Sequence, residues 1–219
     1  MRAAARGVAV RDGDRAVAVA FVSDGAHVGA DTLVRFDVLA GEDPARRLAD
    51  ALATTGARAL WFYGGDETAR RAAGDLGMTL RPAGAVFVRR VDATPAHPVK
   101  FRPPALVDRL TLEELTREHA PDLPEPHVEV AEIARDAVGM TFAADLDGNW
   151  TELRVAIYPP HRMRGFGAAV VAAAADRIEA AGRRVCAEIA GTGGRERSVL
   201  ERAGFRLADY YFIAKRAAE

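Results

Sequence analysis

The stretch YPPHRMRGFGAAVVAAAADRIEAAG, residues Tyr158 to Gly182, places two prolines, three basic residues and two glycines directly before an alanine-rich run. Proline and glycine interrupt regular structure and alanine favours a helix, so the stretch predicts a loop followed by a helix. The first amides of a helix have no partners within it, and the helix dipole adds partial positive charge there. A basic loop at such a junction suits an anion, and we expect it to bind phosphate.

The expected phosphate site depends on four residues of this loop. Gly165 and Gly167 would let the backbone approach a ligand closely or adopt a positive φ. Arg162 and Arg164 add positive charge. The alternative is a glycine-softened loop with solvated arginines, because R-x-x-G-x-G alone is a weak pattern.

The composition excludes several classes of protein. Of the 219 residues, 49% are hydrophobic, which is ordinary for a globular chain with a core. No stretch has the apolar length that spans a bilayer, and the N-terminus lacks the apolar segment of a secretory signal. The net charge of −1 provides no basic field for nucleic acid. We therefore expect a cytoplasmic enzyme or binding protein, with no nucleic-acid or membrane partner.

Cysteine and histidine give no sign of a metal. Cys186 is the one cysteine, which excludes an internal disulfide and a cysteine-based zinc site. Its position in the middle of a predicted strand favours a core role over that of a nucleophile. The five histidines show no ligand spacing. No metal is predicted.

The two halves of the chain repeat one order of elements: a hairpin, a strand, a helix, a strand, a helix and a strand. In the first half, Asp43 is expected to cap a helix that begins at Pro44 and stops at Gly56. The segments 57–78 and 183–205 are each a strand, a glycine-bearing turn and an arginine-rich helix that ends in glycine and a large apolar residue. We expect an α/β fold with a mixed, mostly antiparallel sheet flanked by helices in each half.

The boundary between the halves is predicted at a proline-rich stretch. Residues 92–105 hold four prolines and few large apolar residues, so they are expected to form a linker. Residues 1–91 and 106–219 would then be separate modules. In the second module, Thr111 and Glu114 have the spacing of a capping box at the start of a helix.

The segment LRVAIYPPHRMRGFGAAVV, residues 153–171, resembles motif A of the GNAT superfamily of N-acetyltransferases. In that motif a strand ending in V-x-P leads to [RQ]-x-x-G-x-[GA] and a helix. The segment RERSVLERAGF, residues 195–205, is similar to the motif B helix, which ends in Gly-Phe. The resemblance implies two GNAT-like modules in tandem, of which the second binds the cofactor and the first is degenerate.

The same resemblance implies acetyl-CoA, or another acyl-CoA, as cofactor and a small-molecule or peptide amine as acceptor. Backbone amides of residues 164–168 would hold the pyrophosphate, and the edge of strand 153–157 would pair with the pantetheine arm. The implied reaction is direct transfer of an acetyl group to a primary amine. The cofactor-binding residues predicted in this way are Val155, Ala156, Ile157, Arg162, Arg164, Gly165, Phe166, Gly167 and Ala168.

The predicted catalytic groups depart from the family pattern. Leu200 stands where many members carry a general-acid tyrosine in motif B, and Gly193 stands where many carry an asparagine. Tyr210 and Tyr211 are substitute candidates, of which strand alternation allows one to face the site.

Glu152 and Glu188 are the candidates for general base. Glu152 is out of phase with the family's strand glutamate, and a bulge would be needed to turn it toward the site. A solvent-facing strand glutamate is the alternative for both.

The loop LAGEDPARR of the first half has Glu42 and Asp43 where the second half has arginines, and these anions would repel a pyrophosphate. We therefore expect the first half to be structural. The last strand would leave a sheet edge that the first half or a second subunit, in a homodimer, must cover. Two alternatives to a transferase stay open: a CoA-binding pseudoenzyme that serves as a regulatory or interaction module, and an α/β binding protein without CoA.

Overall fold

The computed structural model describes residues 5–23, 32–39, 42–120, 123, 125–191 and 193–216, which form five helices and eleven strands. No helix in these ranges is long and apolar enough to cross a bilayer. The helices are α1 (Pro44–Thr55), α2 (Glu67–Asp75), α3 (Arg109–His119), α4 (Phe166–Ala180) and α5 (Gly194–Arg202). The strands are β1 (Ala5–Asp12), β2 (Arg15–Ser23), β3 (Thr32–Val38), β4 (Ala59–Tyr63), β5 (Thr79–Arg89), β6 (Lys100–Arg102), β7 (His127–Ile133), β8 (Asp136–Asp145), β9 (Trp150–Ile157), β10 (Arg184–Ala190) and β11 (Phe205–Lys215).

The chain forms two compact units whose boundary falls inside strands β5 and β11. The N-terminal unit comprises Arg2–Gly84 and Asp209–Glu219, and the C-terminal unit comprises Ala85–Ala208. The sequence predicts a boundary at residues 92–105 instead. The difference arises because β5 and β11 are long strands that each contribute to both units. The functional division between the halves stays a prediction.

The N-terminal unit is a sheet with strand order β1-β2-β3-β4-β11. The predicted hairpin is present, with β1 antiparallel to β2. Helices α1 and α2 cover one core that includes Leu48, Ala72 and Phe62. In β11, Tyr211–Lys215 pair antiparallel with β4, so this edge of the final strand is covered within the chain. The reason for expecting a homodimer is thereby removed, while the oligomeric state stays a prediction.

Helix α1 begins and ends where its sequence indicates. The carboxylate of Asp43 accepts hydrogen bonds from the amides of Ala45 (3.0 Å) and Arg46 (3.4 Å). Pro44 occupies the first turn, and Gly56 ends the helix with φ at 71°. These local signals act over a few residues, which is why the sequence alone predicts them.

The C-terminal unit is a sheet with strand order β5-β10-β9-β8-β7-β6. Helices α4 and α5 pack on a core that includes Leu153 and Val171. Helix α3 packs through Leu115 on a second core that includes Ala156. Since positions 153 and 156 of one strand face opposite sides, α3 and α4 cover opposite faces of the sheet.

The prediction of an unstructured linker at residues 92–105 is wrong at its end. Lys100–Arg102 form β6, with Phe101 opposite Ala131 of β7. The guanidinium of Arg102 binds both carboxylate oxygens of Asp108, at 2.7 and 3.2 Å. A side-chain ion pair therefore holds this segment in place despite its prolines.

The predicted capping box at Thr111 and Glu114 is also wrong, because α3 begins two residues earlier, at Arg109. Asp108 precedes the helix but does not cap it. Its carboxylate instead accepts from Arg102 and from the amide of Ala105 at 2.7 Å. The Arg102 guanidinium lowers the pKa of the Asp108 carboxyl.

Candidate functional site

Strand β9 has one continuous neighbour and one partial neighbour. Strand β8 pairs with it antiparallel along residues 151–157 without a register shift. Strand β10 runs parallel to it, but this pairing covers only Trp150–Glu152. Along Leu153–Ile157 the side of β9 toward β10 is thus an open edge in the described part of the sheet. Such an edge can pair with an extended ligand through backbone hydrogen bonds.

A glycine in β8 allows the close approach of β8 to β9 at this site. A Cβ added to Gly139 would collide with the carbonyl oxygen of Ala156 and lie 3.1 Å from the Cα of Ile157. Strand β8 therefore packs closely against the last residues of β9, and any larger side chain at position 139 would push the two strands apart.

The loop after β9 turns tightly into helix α4. A 3-10 turn at Pro159–His161 is followed by Met163 with φ at 63° and Gly165 with φ at 81°. Gly165 is the N-cap residue of α4 and has no side chain that could bond to the amides of the first turn. Uncapped amides at the positive end of a 15-residue helix form an anion site. The predicted loop and helix are confirmed, with the helix starting at Phe166.

The two loop glycines differ in their roles. Only Gly165 of the pair has a positive φ, in the region where side chains cause strain. Gly167 lies inside the helix, and a Cβ there would meet Val199 Cγ1 at an ordinary 3.5 Å. Gly167 therefore does not need a positive φ, while its role in the close approach of a ligand stays a prediction. Ala168 follows it in the first turn, half-buried.

Both loop arginines are exposed. The Nε atom of Arg162 donates a hydrogen bond of 2.9 Å to the carbonyl oxygen of Ile157. The guanidinium carbon of Arg164 lies 4.8 Å from the centre of the Phe166 ring, in a cation–π arrangement. The arginines thus border the end of the open edge and the start of α4.

Two histidines that the sequence analysis did not single out also lie at the Phe166 ring. The ring centre of His97 is 5.1 Å from it, and that of His161 is 6.2 Å from it. His97 lies far from Phe166 in the chain, in the segment before β6. No local pattern could have placed it in the site.

The buried carboxylate of Glu152 pairs with the half-buried guanidinium of Arg154 and does not lie at the open edge. One carboxylate oxygen accepts from Nε and Nη2 of Arg154, at 2.8 and 2.7 Å, and the Glu152 side chain is 2% exposed. Arg154 also donates to the carbonyl oxygen of His119, at 3.1 Å. Without a bulge in β9, Glu152 shares the face that α3 covers. This placement favours a structural role, and the base role gains no support from it.

Cys186 and Glu188 occupy neighbouring positions on one face of β10. Burial, together with the nearby carboxylates of Glu152 and Glu188, raises the pKa of Cys186 to about 12. The thiol therefore stays protonated at neutral pH, as a core residue does. Glu188 is half-buried and stays a candidate base.

The tyrosine position of motif B is a core position here. Leu200 is 7% exposed and belongs to the same core as Val185 and Phe205. Gly193 is the N-cap residue of α5 and makes no side-chain cap. Leucine at position 200 has no proton to donate in place of the tyrosine.

Tyr210 and Tyr211 belong to the N-terminal unit. Tyr210 is 42% exposed, whereas Tyr211 is half-buried, with its ring centre 5.2 Å from that of Trp61. Within that unit Tyr211 lies opposite Tyr63 of β4. Their role as general acids stays a prediction.

Residues 137–213 match the family model of FR47-like proteins. The match covers about a third of the chain and includes the open edge of β9, the loop, α4 and α5. None of the curated protein sequences is a significant match to this chain.

Solved structures match nearly the whole chain. A GNAT-family acetyltransferase from Colwellia psychrerythraea has a TM-score of 0.74 at 8% identity, over 97% of this chain and 86% of its own. A GCN5-related N-acetyltransferase from Kribbella flavida has a TM-score of 0.64 at 16% identity, over 98% and 90%. A tandem GNAT protein from the clavulanic acid biosynthesis pathway has a TM-score of 0.63 at 16% identity, over 99% and 84%. At these identities the likeness concerns the fold: the chain has the fold of the GNAT-family N-acetyltransferases.

Proposed function

We propose that this protein transfers an acetyl or other acyl group from acyl-CoA to a primary amine, by direct transfer between two bound substrates. The observation that carries the proposal is the partial pairing of β9 with β10, which leaves Leu153–Ile157 as an open edge leading to the α4 loop. An extended thioester with a phosphate at one end matches such an edge followed by an anion site.

The residues present fit acyl-CoA. Backbone groups of Val155–Ile157 would pair with its pantetheine arm, and amides of residues 164–168 would bind its pyrophosphate. Arg162 and Arg164 are exposed beside these amides and add charge-assisted contacts. Acyl-CoA supplies the activated acyl group. The chain supplies binding and orientation, which account for much of the acceleration of a two-substrate reaction.

The reaction forms an amide bond and releases a thiol, so the amine must lose a proton and the thiolate must gain one. Glu152, whose carboxylate is paired with Arg154, and Glu188 are the two base candidates. Tyr210 or Tyr211 would donate to the thiolate. These assignments are part of the proposal.

We also propose that the chain consists of two GNAT-like modules in tandem, with the first one structural. The order of elements from β1 to β5 is the same as that from β7 to β11. In the first module, Glu42 lies near the start of α1 and accepts from Arg47 at 2.7 and 2.8 Å. Arg47 also binds Asp12 and Asp50, so its positive charge is already neutralised. The likeness to a tandem GNAT protein supports this arrangement.

The function is tested in two steps with the purified full-length chain. Calorimetric titration with acetyl-CoA should give saturable binding, and thiol release should then depend on an added amine from a panel of small amines and peptides. A reaction without amine controls for hydrolysis. Binding without thiol release for any amine would favour the CoA-binding pseudoenzyme. No binding would refute the proposed site.

A further inference from the structure

The open edge of β9 ends at a short junction with β10. Residues Trp150–Glu152 of β9 lie opposite Arg184–Cys186 of β10, and the described pairing of the two strands stops there. Parallel pairing is slightly less stable per residue than antiparallel pairing, so a junction of this length depends on additional contacts. The strength of this junction decides where the open edge stops.

Side chains from three segments hold the junction together. The Nε atom of Arg183, just before β10, donates to Oγ1 of Thr151 at 2.7 Å and lies 2.9 Å from Oδ1 of Asp145. The Thr151 hydroxyl donates to the same carboxylate oxygen at 2.8 Å. Arg183 also donates to the carbonyl oxygen of Trp150. We name Asp145, Thr151 and Arg183 the junction clamp, because they tie the end of β8 and the starts of β9 and β10 together.

Two further contacts support the same end of the two strands. The Nδ2 atom of Asn149 donates to the carbonyl oxygen of Gly182 at 2.8 Å. The Arg184 guanidinium lies over the Trp150 ring, 3.8 Å from its centre. Strand β10 is therefore fixed to β9 at this end by side chains as well as by backbone pairing.

Buried side chains surround the inner end of the open edge. Leu153 and Val185 are buried in one packed core, and Cys186, which lies opposite Glu152, is buried as well. A ligand that extended past Leu153 would have to separate the two strands or displace these side chains. Packed cores accept added methylene groups only at a cost in free energy.

The length of the edge is close to that of a pantetheine arm. Leu153–Ile157 span about 16 Å, at about 3.3 Å per residue. The arm has as many covalent bonds between its phosphate oxygen and its sulfur as about four residues of backbone, which is roughly 13–14 Å when extended. An arm that starts at the α4 loop therefore brings its sulfur, and the acyl group on it, toward the junction.

We propose that the junction clamp limits the acyl group of the cofactor to a short chain, of the size of acetyl or propionyl. This inference rests on the proposed function and names the class of acyl donor. A longer chain has to pry β10 from β9, and the clamp opposes that separation. Arg183, Thr151 and Asp145 act through the position of β10, so they are positioning residues that determine specificity.

The experiment measures binding to the full-length chain by calorimetry with CoA, acetyl-CoA, butyryl-CoA and octanoyl-CoA. Free CoA reports on the phosphates and the pantetheine arm without an acyl group. Octanoyl-CoA should bind at least about tenfold more weakly than acetyl-CoA, the effect of forcing methylene groups into a packed region. Butyryl-CoA should lie between the two.

Two variants loosen the clamp in different ways. Thr151→Val replaces a hydroxyl by a methyl group of similar size, and Arg183→Ala removes the guanidinium. Each should reduce the preference for acetyl-CoA over octanoyl-CoA to about threefold, because the strands then separate at lower cost. Arg177→Ala is the matched control, since it loses a 2.7 Å ion pair with Glu129 in the same unit and should keep the full preference.

The ratio of affinities separates specificity from a merely structural effect. General loosening of the fold weakens binding of all four probes together, whereas loss of the clamp changes octanoyl-CoA relative to acetyl-CoA. Thermal unfolding checks that each variant folds. If Arg183→Ala does not fold, Thr151→Val and the unchanged chain decide.

Equal affinity of the unchanged chain for acetyl-CoA and octanoyl-CoA would overturn the inference and leave the acyl-CoA site in place. An undiminished preference in the folded clamp variants would show that other residues limit the chain length and would also overturn it. Failure of the proposed function looks different, because the unchanged chain would then bind none of the four probes.

Discussion

The Nε atom of Arg162 and the carbonyl oxygen of Ile157 are joined by a hydrogen bond of 2.9 Å, which ties the loop to the last residue of β9. The bond fixes the loop where the open edge ends and α4 begins. Arg162 therefore positions the loop in addition to carrying charge, whereas exposed Arg164 contacts the Phe166 ring.

Alanine at both Arg162 and Arg164 should weaken CoA binding by about 1–3 kcal/mol, the range for hydrogen bonds to charged groups. High salt should reduce the difference, because the positions are exposed and screened. Titration at low and high salt measures this, with exposed Arg109→Ala as control. Unchanged affinity in the double variant would show that neither arginine side chain contributes to CoA binding.

Gly165→Glu should abolish CoA binding while the protein stays folded. The new side chain places a negative charge at the amides of α4, and φ at 81° adds strain of about 1–2 kcal/mol. Gly182 provides a matched control at the other end of α4, since its φ is 80° and the space around it is open as well. Gly182→Glu should cost similar stability and leave binding intact. Normal binding by Gly165→Glu would show that the site lies elsewhere.

Glu152→Ala should lower the free energy of unfolding by about 1–3 kcal/mol, because the half-buried guanidinium of Arg154 loses its carboxylate partner. Denaturant unfolding measures the loss. The pair Glu152→Leu with Arg154→Met removes both charges and should recover most of it. Conversely, a Glu152→Gln variant with normal stability and CoA affinity but slow thiol release would assign Glu152 as the base.

Cys186 should react with a thiol reagent only when the protein unfolds. Its pKa is raised by burial, so the folded state holds the thiol proton more tightly than the unfolded state does. The resulting contribution to stability is present below the ordinary pKa of a thiol and is lost as the pH rises through about 12. Labelling with and without denaturant tests this. Rapid labelling of the native protein at neutral pH would contradict the burial.

The full chain should bind one CoA. The α1 junction of the first module presents Asp43 as a capping carboxylate, and Pro44 lacks an amide donor. The stoichiometry from calorimetry checks this directly. Two CoA molecules per chain would show that the first module is also a binding module.

A fragment from Arg102 onward should aggregate. It would retain Tyr211–Lys215 of β11 but lose β4, the strand with which they pair, and so expose a sheet edge. Light scattering of the purified fragment, beside the full chain, measures this. A soluble and active fragment would contradict the structural role of the first module.

The sequence by itself determined the elements whose signals are local. Asp43, Pro44 and Gly56 mark α1 within one segment, and Gly165 marks the start of α4. These residues act through their own backbone preferences, so neighbouring positions suffice to identify them. The loop before α4, at which the ligand is proposed to bind, is also identified by such local signals.

Only the tertiary structure decided the placement of groups whose partners lie elsewhere in the chain. Thr111 has the sequence pattern of a helix cap, but the helix starts before it. Asp108, which precedes the helix, binds Arg102 and does not cap it. Glu152 has a side chain that could act as a base. The continuous register of β9 places it on the face that α3 covers, where it pairs with Arg154. His97 reaches Phe166 only because the chain folds back before β6. Such contacts depend on which distant segments of the chain meet in the fold, and the local sequence pattern does not identify those partners.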